Sequence, residues 1–308
     1  MNWKKPEYLM NDIWISDGFD FHLPNRTGTY IINEEELTLI DTGPSISIPA
    51  LKQSMAHLGR SLADVSYIIV THVHLDHAGG AGLLLQDCPN AKVVVHPRGA
   101  RHLADPQRLV QGARAVYNDT FDSLFDPVIP VPKEKILIKD DNEQITFTSG
   151  RVLQFFDTPG HAAHHFSIMD SLSKGIFTGD TIGIQYVHHK DMYLPSTSPN
   201  QFHPEQMKDS LRLILSKQPT CIFFGHYGVS FDIDEVERQL LFWLPKFVEW
   251  GKSVKHSGGG SDALAEQIIK HVTDHYSLHN LADNDPLTTF IKADASISAM
   301  GVLDYLSK

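Results

Sequence analysis

Between His72 and His77, six consecutive positions hold three imidazoles and one carboxylate: His72, His74, Asp76 and His77. His72 and His74 are two apart, so at a strand end both side chains point the same way. Asp76 and His77 follow where the chain turns into Ala78-Gly79-Gly80, and they approach from another direction. Such a cluster suits two adjacent metal sites better than one. The plain alternative is a solvated His-rich turn. Against it, the wholly apolar run Tyr67 to Val70 feeds directly into the cluster and fixes it at a sheet edge.

Three more polar residues stand at or just after the ends of expected strands: His161 after Phe155-Phe156-Asp157-Thr158-Pro159-Gly160, Asp180 after Phe177-Thr178-Gly179, and His226 after Phe223-Phe224-Gly225. Each alone reads as an ordinary loop residue. Taken with the His cluster, and each preceded by Gly, they read as loops converging on one point that the backbone can approach closely. Seven ligands then divide naturally. His72, His74 and His161 hold one ion, Asp76, His77 and His226 the other, and Asp180 bridges them. Imidazole and carboxylate without thiolate suit two divalent ions, zinc first, with manganese or iron as alternatives. A metal-bridging hydroxide is the nucleophile such a pair provides.

Other histidines carry weaker signals. Tyr186 and His189, with His188, sit in a long loop and are candidates to face substrate. His271 and His275 are four apart on an expected helix, but no Glu follows His271, so a solvent face is the better reading. Gly258 to Gly260 lacks the strand, Lys and Ser/Thr context of a phosphate loop and reads as a linker.

The elements that position these residues alternate between strands and helices. Strands are expected at 29–33, 37–40, 67–70, 92–96, 136–138, 144–148, 152–156, 166–169, 175–177 and 221–224. Helices are expected at 48–58, 78–86, 106–124 and 205–215. The span 181–204 shows no periodicity and carries Pro195, Pro199 and Pro204, which marks a long loop. Beyond residue 230 the pattern is helical. One long amphipathic helix is interrupted by Pro245, and two more run at 262–275 and 286–306, the last with Asp285 as N-cap and Pro286 at the first helical position. The organisation is a catalytic domain over 1–230 and a helical region over 231–308.

Composition narrows the class. A chain of 308 residues with 42% hydrophobic and 20% charged residues is neither disordered nor fibrous. Its two Cys build no disulfide framework, which points to a reducing compartment. A net charge of −11 handicaps nucleic-acid binding. With no signal-peptide pattern and no apolar run long enough to span a bilayer, a soluble cytoplasmic protein is expected.

The ligand set, with its intervals, resembles the metallo-β-lactamase-fold hydrolase superfamily, nearest the branch that includes glyoxalase II and quorum-sensing lactonases. The motifs cover roughly residues 28–228. The resemblance implies an α/β (α+β) fold, a four-layer αββα sandwich with metals at one edge of the sheets, here with a C-terminal helical extension. It also implies that Asp41, in Leu39-Ile40-Asp41-Thr42-Gly43, hydrogen-bonds a ligand histidine. Several features depart from family patterns. β-Lactamases of this fold commonly carry Cys where Asp180 stands, and flavodiiron proteins carry Glu where His74 stands. Lactonases carry Tyr where Gly183 stands, and His164 occupies a position where Gly is common.

The function expected is hydrolysis of an ester, thioester or lactone by a binuclear metal centre, with Asp76 a ligand that also handles the proton. The alternatives are a mononuclear iron oxygenase of the persulfide dioxygenase type, a phosphodiesterase of the same fold, and a metal-holding protein without turnover. The expected partner is a small-molecule substrate, with no nucleic acid and no membrane; oligomeric state is left open, a homodimer included.

Overall fold

The computed structural model describes residues 3–189 and 192–308; Met1, Asn2, Lys190 and Asp191 lie outside the described residues. The chain divides into two compact units. The first comprises Met1–Asp157, His164–Gly179 and Pro219–Val229, and the second Thr158–Ala163, Asp180–Gln218 and Ser230–Lys308.

The first unit is built on two large sheets. One runs in chain order through β1 (Glu7–Met10), β2 (Ile13–Asp17), β3 (Gly28–Ile32), β4 (Leu37–Ile40), β5 (Val65–Ile69), β6 (Lys92–Val95) and β7 (Ile136–Ile138). It is antiparallel up to β4 and parallel from β4 to β7. β4 is buried throughout, as are Ile68 and Ile69 of β5 and Val93, Val94 and Val95 of β6, because a parallel sheet is covered on both faces; this is why these strands are mostly apolar. The other large sheet contains β8 (Gln144–Thr146), β9 (Val152–Asp157), β10 (Phe166–Asp170) and β11 (Gly175–Gly179), then β14 (Cys221–Phe224) and β15 (Val229–Ser230) at its far edge.

The helices of this unit are α1 (Ile48–His57), α2 (Leu75–Ala78), α3 (Ala81–Leu85), α4 (Pro97–Ala104), α5 (Gln107–Tyr117) and α6 (Phe121–Phe125). Ile48, Leu51 and Met55 of α1 and Leu84 of α3 pack with Leu39, Ile68 and Val93 of the first sheet. Between the sheets, the Tyr30 ring lies 5.1 Å from Phe177 and 5.4 Å from Phe223. Its hydroxyl reaches the carbonyls of Phe224 and Gly228 at 2.7 and 2.6 Å. Burying each such side chain stabilises the fold by roughly 1.5–3 kcal/mol.

The second unit holds the hairpin β12 (Ile184–Gln185) and β13 (Tyr193–Leu194) and the helices α7 (Pro204–Ser216), α8 (Ile233–His256), α9 (Ser261–His275) and α10 (Pro286–Tyr305). α8 continues through Pro245 for 24 residues; Val236, Leu240, Trp243, Leu244 and Phe247 on its buried stripe hold it together. As expected, Asp285 caps α10, its carboxylate accepting the Leu287 N–H at 2.8 Å.

Several elements differ from the sequence reading. α4 lies where no helix was expected, and the helix expected over 78–86 is two, α2 and α3. The span 181–204 is not all loop: Ile184 pairs with Leu194 and Gln185 with Tyr193, a ladder too short to leave a period. The helix expected over 106–124 is two, broken where Asn118 takes φ 47°. β1 and β2 precede every strand expected from the pattern.

Candidate metal centre

β5 ends at Ile69, and the chain passes through Val70 and Thr71 into α2, whose N-cap is His74 and whose first turn contains Asp76 and His77. This strand-to-helix turn collects four polar side chains at one point. His72 and His77 are buried, with ring centroids 4.2 Å apart. His72 Nε2 lies 3.0 Å from His74 Nδ1. His226, just beyond β14, joins them: Asp76 Oδ2 lies 3.7 Å from His77 Nε2 and 3.6 Å from His226 Nε2. Ligand atoms of Asp76, His77 and His226 all fall within 4.8 Å of one another. A hydrogen bond would draw such N and O atoms to about 2.7–3.2 Å, whereas ligands about 2.0–2.1 Å from one tetrahedral zinc stand about 3.4 Å apart. Both donor chemistry and spacing fit a divalent ion.

Asp41, in the left-handed conformation just after β4 (φ 54°), anchors the turn. Its carboxylate accepts the Thr71 N–H at 2.7 Å and the Thr71 hydroxyl at 2.9 Å. It also lies 2.9 Å from His77 Nδ1, which therefore carries the proton and leaves the Nε2 lone pair towards Asp76. Thr71 gives its single proton to Asp41, so its oxygen accepts from His72 Nδ1 at 3.1 Å, and His72 Nε2 is likewise the lone-pair nitrogen, facing His74 Nδ1 at 3.0 Å.

In the second unit, His161 and Asp180 form a matching pair. His161 Nδ1 lies 2.9 Å from the Ser196 carbonyl, which can only accept, so Nε2 is again the lone-pair nitrogen. That nitrogen stands 3.7 Å from Asp180 Oδ2, to which the Ser196 hydroxyl donates at 3.1 Å. Both side chains are buried. Gly160 is required before His161: its φ is +134°, and a Cβ there would collide with the Met207 backbone.

The structure adds to the first cluster residues that have no role there in the sequence reading. His165 stacks on His72 at 5.0 Å, and His164 accepts the Val73 N–H at 3.4 Å with its ring 5.4 Å from His74. Both follow His161 closely in sequence, the one signal that could have drawn attention to them. Asp20, in the turn between β2 and β3, is fully buried. Burial pushes its carboxyl up to about 6, against the pull of Arg26; nearby Asp76 adds to the rise and His226 opposes it. Nothing in the local pattern marks it. Burial also pushes both thiols up, Cys88 to about 12 and Cys221 to about 11, so neither is poised as a thiolate.

Tyr186 is buried and donates its hydroxyl to Asp294 Oδ2 at 2.6 Å. The His189 ring lies 5.1 Å from Tyr276, and the His188 ring 5.8 Å from Phe290. His271 is half-buried, stacked on Trp250 at 4.4 Å, rather than solvated.

Residues 25–226 match the metallo-beta-lactamase superfamily. The chain belongs to that superfamily. It is 28% identical to the metallo-beta-lactamase fold-containing protein ST1585 of Sulfurisphaera tokodaii, over 67% of this chain and 74% of that one. The crystal structure of ST1585 superimposes with a TM-score of 0.68, covering 96% of this chain and 99% of that one at 21% identity, which shows the metallo-beta-lactamase fold. More distant members include an atrochrysone carboxyl ACP thioesterase of Aspergillus fumigatus, 27% identical over 51% of this chain and 40% of its own. A hydroxyacylglutathione hydrolase of Francisella tularensis subsp. novicida is 28% identical over 47% of this chain and 45% of its own. Within this superfamily the chain is an enzyme of the metal-dependent hydrolase class. Among the described residues no helix is long and apolar enough to cross a membrane.

Proposed function

We propose that the protein hydrolyses an ester, thioester or lactone at a binuclear metal centre. His72, His74 and His161 would hold one ion and Asp76, His77 and His226 the other, with Asp180 between the two. Zinc suits the donor set first, and manganese or iron would also be accepted. The observation that carries the reading is the spacing of Asp76 Oδ2 from His77 and His226, 3.7 and 3.6 Å, with His77 oriented from behind by Asp41. Bound there, two divalent ions acidify a water and stabilise negative charge on a carbonyl oxygen. The protein's own part is to fix the imidazole tautomers through Asp41, Thr71 and the Ser196 carbonyl. Asp76, its Oδ2 between two imidazoles, is the group proposed to take the proton of the attacking water. The names of the two distant relatives, a thioesterase and an acylglutathione hydrolase, favour acyl substrates.

The test is to strip the protein, reload it separately with Zn²⁺, Mn²⁺ and Fe²⁺, and assay thioesters, esters, lactones and glutathione persulfide with and without oxygen. Acyl cleavage by the zinc form under anaerobic conditions is expected. Activity confined to the iron form, with oxygen uptake, would overturn the hydrolase reading in favour of an oxygenase.

A further inference from the structure

α4 and α5 carry a cationic cluster. Residues 97–117 contain Arg98, Arg101, Arg108 and Arg114 against a single acid, Asp105, in a chain whose net charge is −11. Arg114 is tied to Asp122 at 2.6 Å; Arg98, Arg101 and Arg108 are exposed. Arg98, Arg101 and His102 are three and four apart and share one face of α4.

This face connects to the metal-ligand cluster through two ring contacts. Arg101 donates Nε–H to His102 Nε2 at 3.2 Å. The His102 ring lies 6.2 Å from His164, and His164 lies 5.4 Å from His74. The His102 imidazole is held below its usual pKa by burial first, then by Arg101 and Arg108, with Asp105 opposing. Like charges crowded on one helix face do not help the helix, and the overall negative charge repels anions at long range. A local group of forked guanidinium donors offsets both where an anion must be brought close, since their geometry matches phosphate and carboxylate oxygens.

We propose that Arg98, Arg101 and Arg108 form an anion-binding rim beside His74 and His164 that anchors a substrate through its phosphate or carboxylate groups. Only the nature of the anchored molecule, an acyl thioester, rests on the hydrolase reading.

The experiment is equilibrium binding of three non-hydrolysable thioethers to the metal-loaded full chain by calorimetry, at low and high salt. S-ethyl-coenzyme A carries phosphates, S-ethylglutathione carries carboxylates, and S-ethyl-N-acetylcysteamine is neutral. At least one charged thioether should bind the wild type at least about tenfold more tightly than the neutral one, and salt should weaken it. The triple variant Arg98→Gln, Arg101→Gln, Arg108→Gln should lose that tenfold advantage, while Arg212→Gln, an exposed residue of α7 paired with Asp209, should not. The thioether that responds identifies phosphate or carboxylate as the anchored group. Equal binding of all three by wild type and triple variant would overturn the rim. Charge-dependent binding without turnover of the corresponding thioesters would instead overturn the hydrolase reading and leave the rim in place.

Discussion

Asp41 Oδ2 lies 2.9 Å from His77 Nδ1, and the same carboxylate takes the Thr71 N–H and hydroxyl. One buried acid thus fixes the turn that carries the cluster and the tautomer of one of its imidazoles. Asp41→Ala frees the His77 ring and leaves the Thr71 N–H unpaired. Metal affinity should fall about 10- to 100-fold, measured by competition with a chromophoric chelator. An unchanged affinity would show that the Asp41 contact orients nothing.

Gly179 ends β11 at φ +46°, one residue before Asp180. A Cβ there would stand 2.5 Å from His165 Nε2 and 2.7 Å from Thr71 Oγ1. Gly179→Ala should cost about 1–3 kcal/mol in unfolding free energy and weaken metal binding, because Thr71 and His165 both touch His72. Wild-type stability with wild-type metal content would contradict this reading of the close approach.

The raised carboxyl of Asp20 gives stability a pH dependence. The buried acid prefers its proton in the folded state, so its contribution is full below pH 3.8 and is lost as pH rises through about 6. A rise from 3.8 to about 6 corresponds to about 3 kcal/mol. Denaturant unfolding of metal-stripped protein should show the wild type losing roughly this much relative to Asp20→Asn across that window. Parallel curves for the two proteins would refute it.

His271 and Asp180 make a paired comparison. Asp180→Ala should lower affinity at both proposed sites and nearly abolish turnover. His271→Ala should keep metal and activity while losing about 0.5–1.5 kcal/mol of stability with its stack on Trp250. Metal lost from the His271 variant and kept by the Asp180 variant would reverse the ligand assignment.

The first cluster is legible in sequence because strand and turn place its members locally. His72, His74, Asp76 and His77 fall within one turn, and His226 follows an apolar run that ends in Gly. Their supports are less so. Thr71 matters through a hydroxyl that any Thr carries, and Ser196 through a backbone carbonyl. Asp20 lies ahead of the first expected strand, in a turn where Phe19, Phe21 and His22 all take positive φ. The hairpin at Ile184 and Tyr193 is set by partners distant in sequence: Tyr193 N–H reaches Gln239 at 3.0 Å, a contact no local pattern encodes. The arginine rim went unread for a related reason. Arg101 gains its meaning from His102 and His164, which only the fold brings together.

The proposed chemistry depends most on the chain holding two metal ions. Elemental analysis of protein purified without chelators, then titrated with Zn²⁺ and freed of excess, measures it directly. A plateau at two ions per chain is expected, since seven imidazole and carboxylate ligands exceed what one tetrahedral site can use. A plateau at one ion, unmoved by further metal, would contradict it.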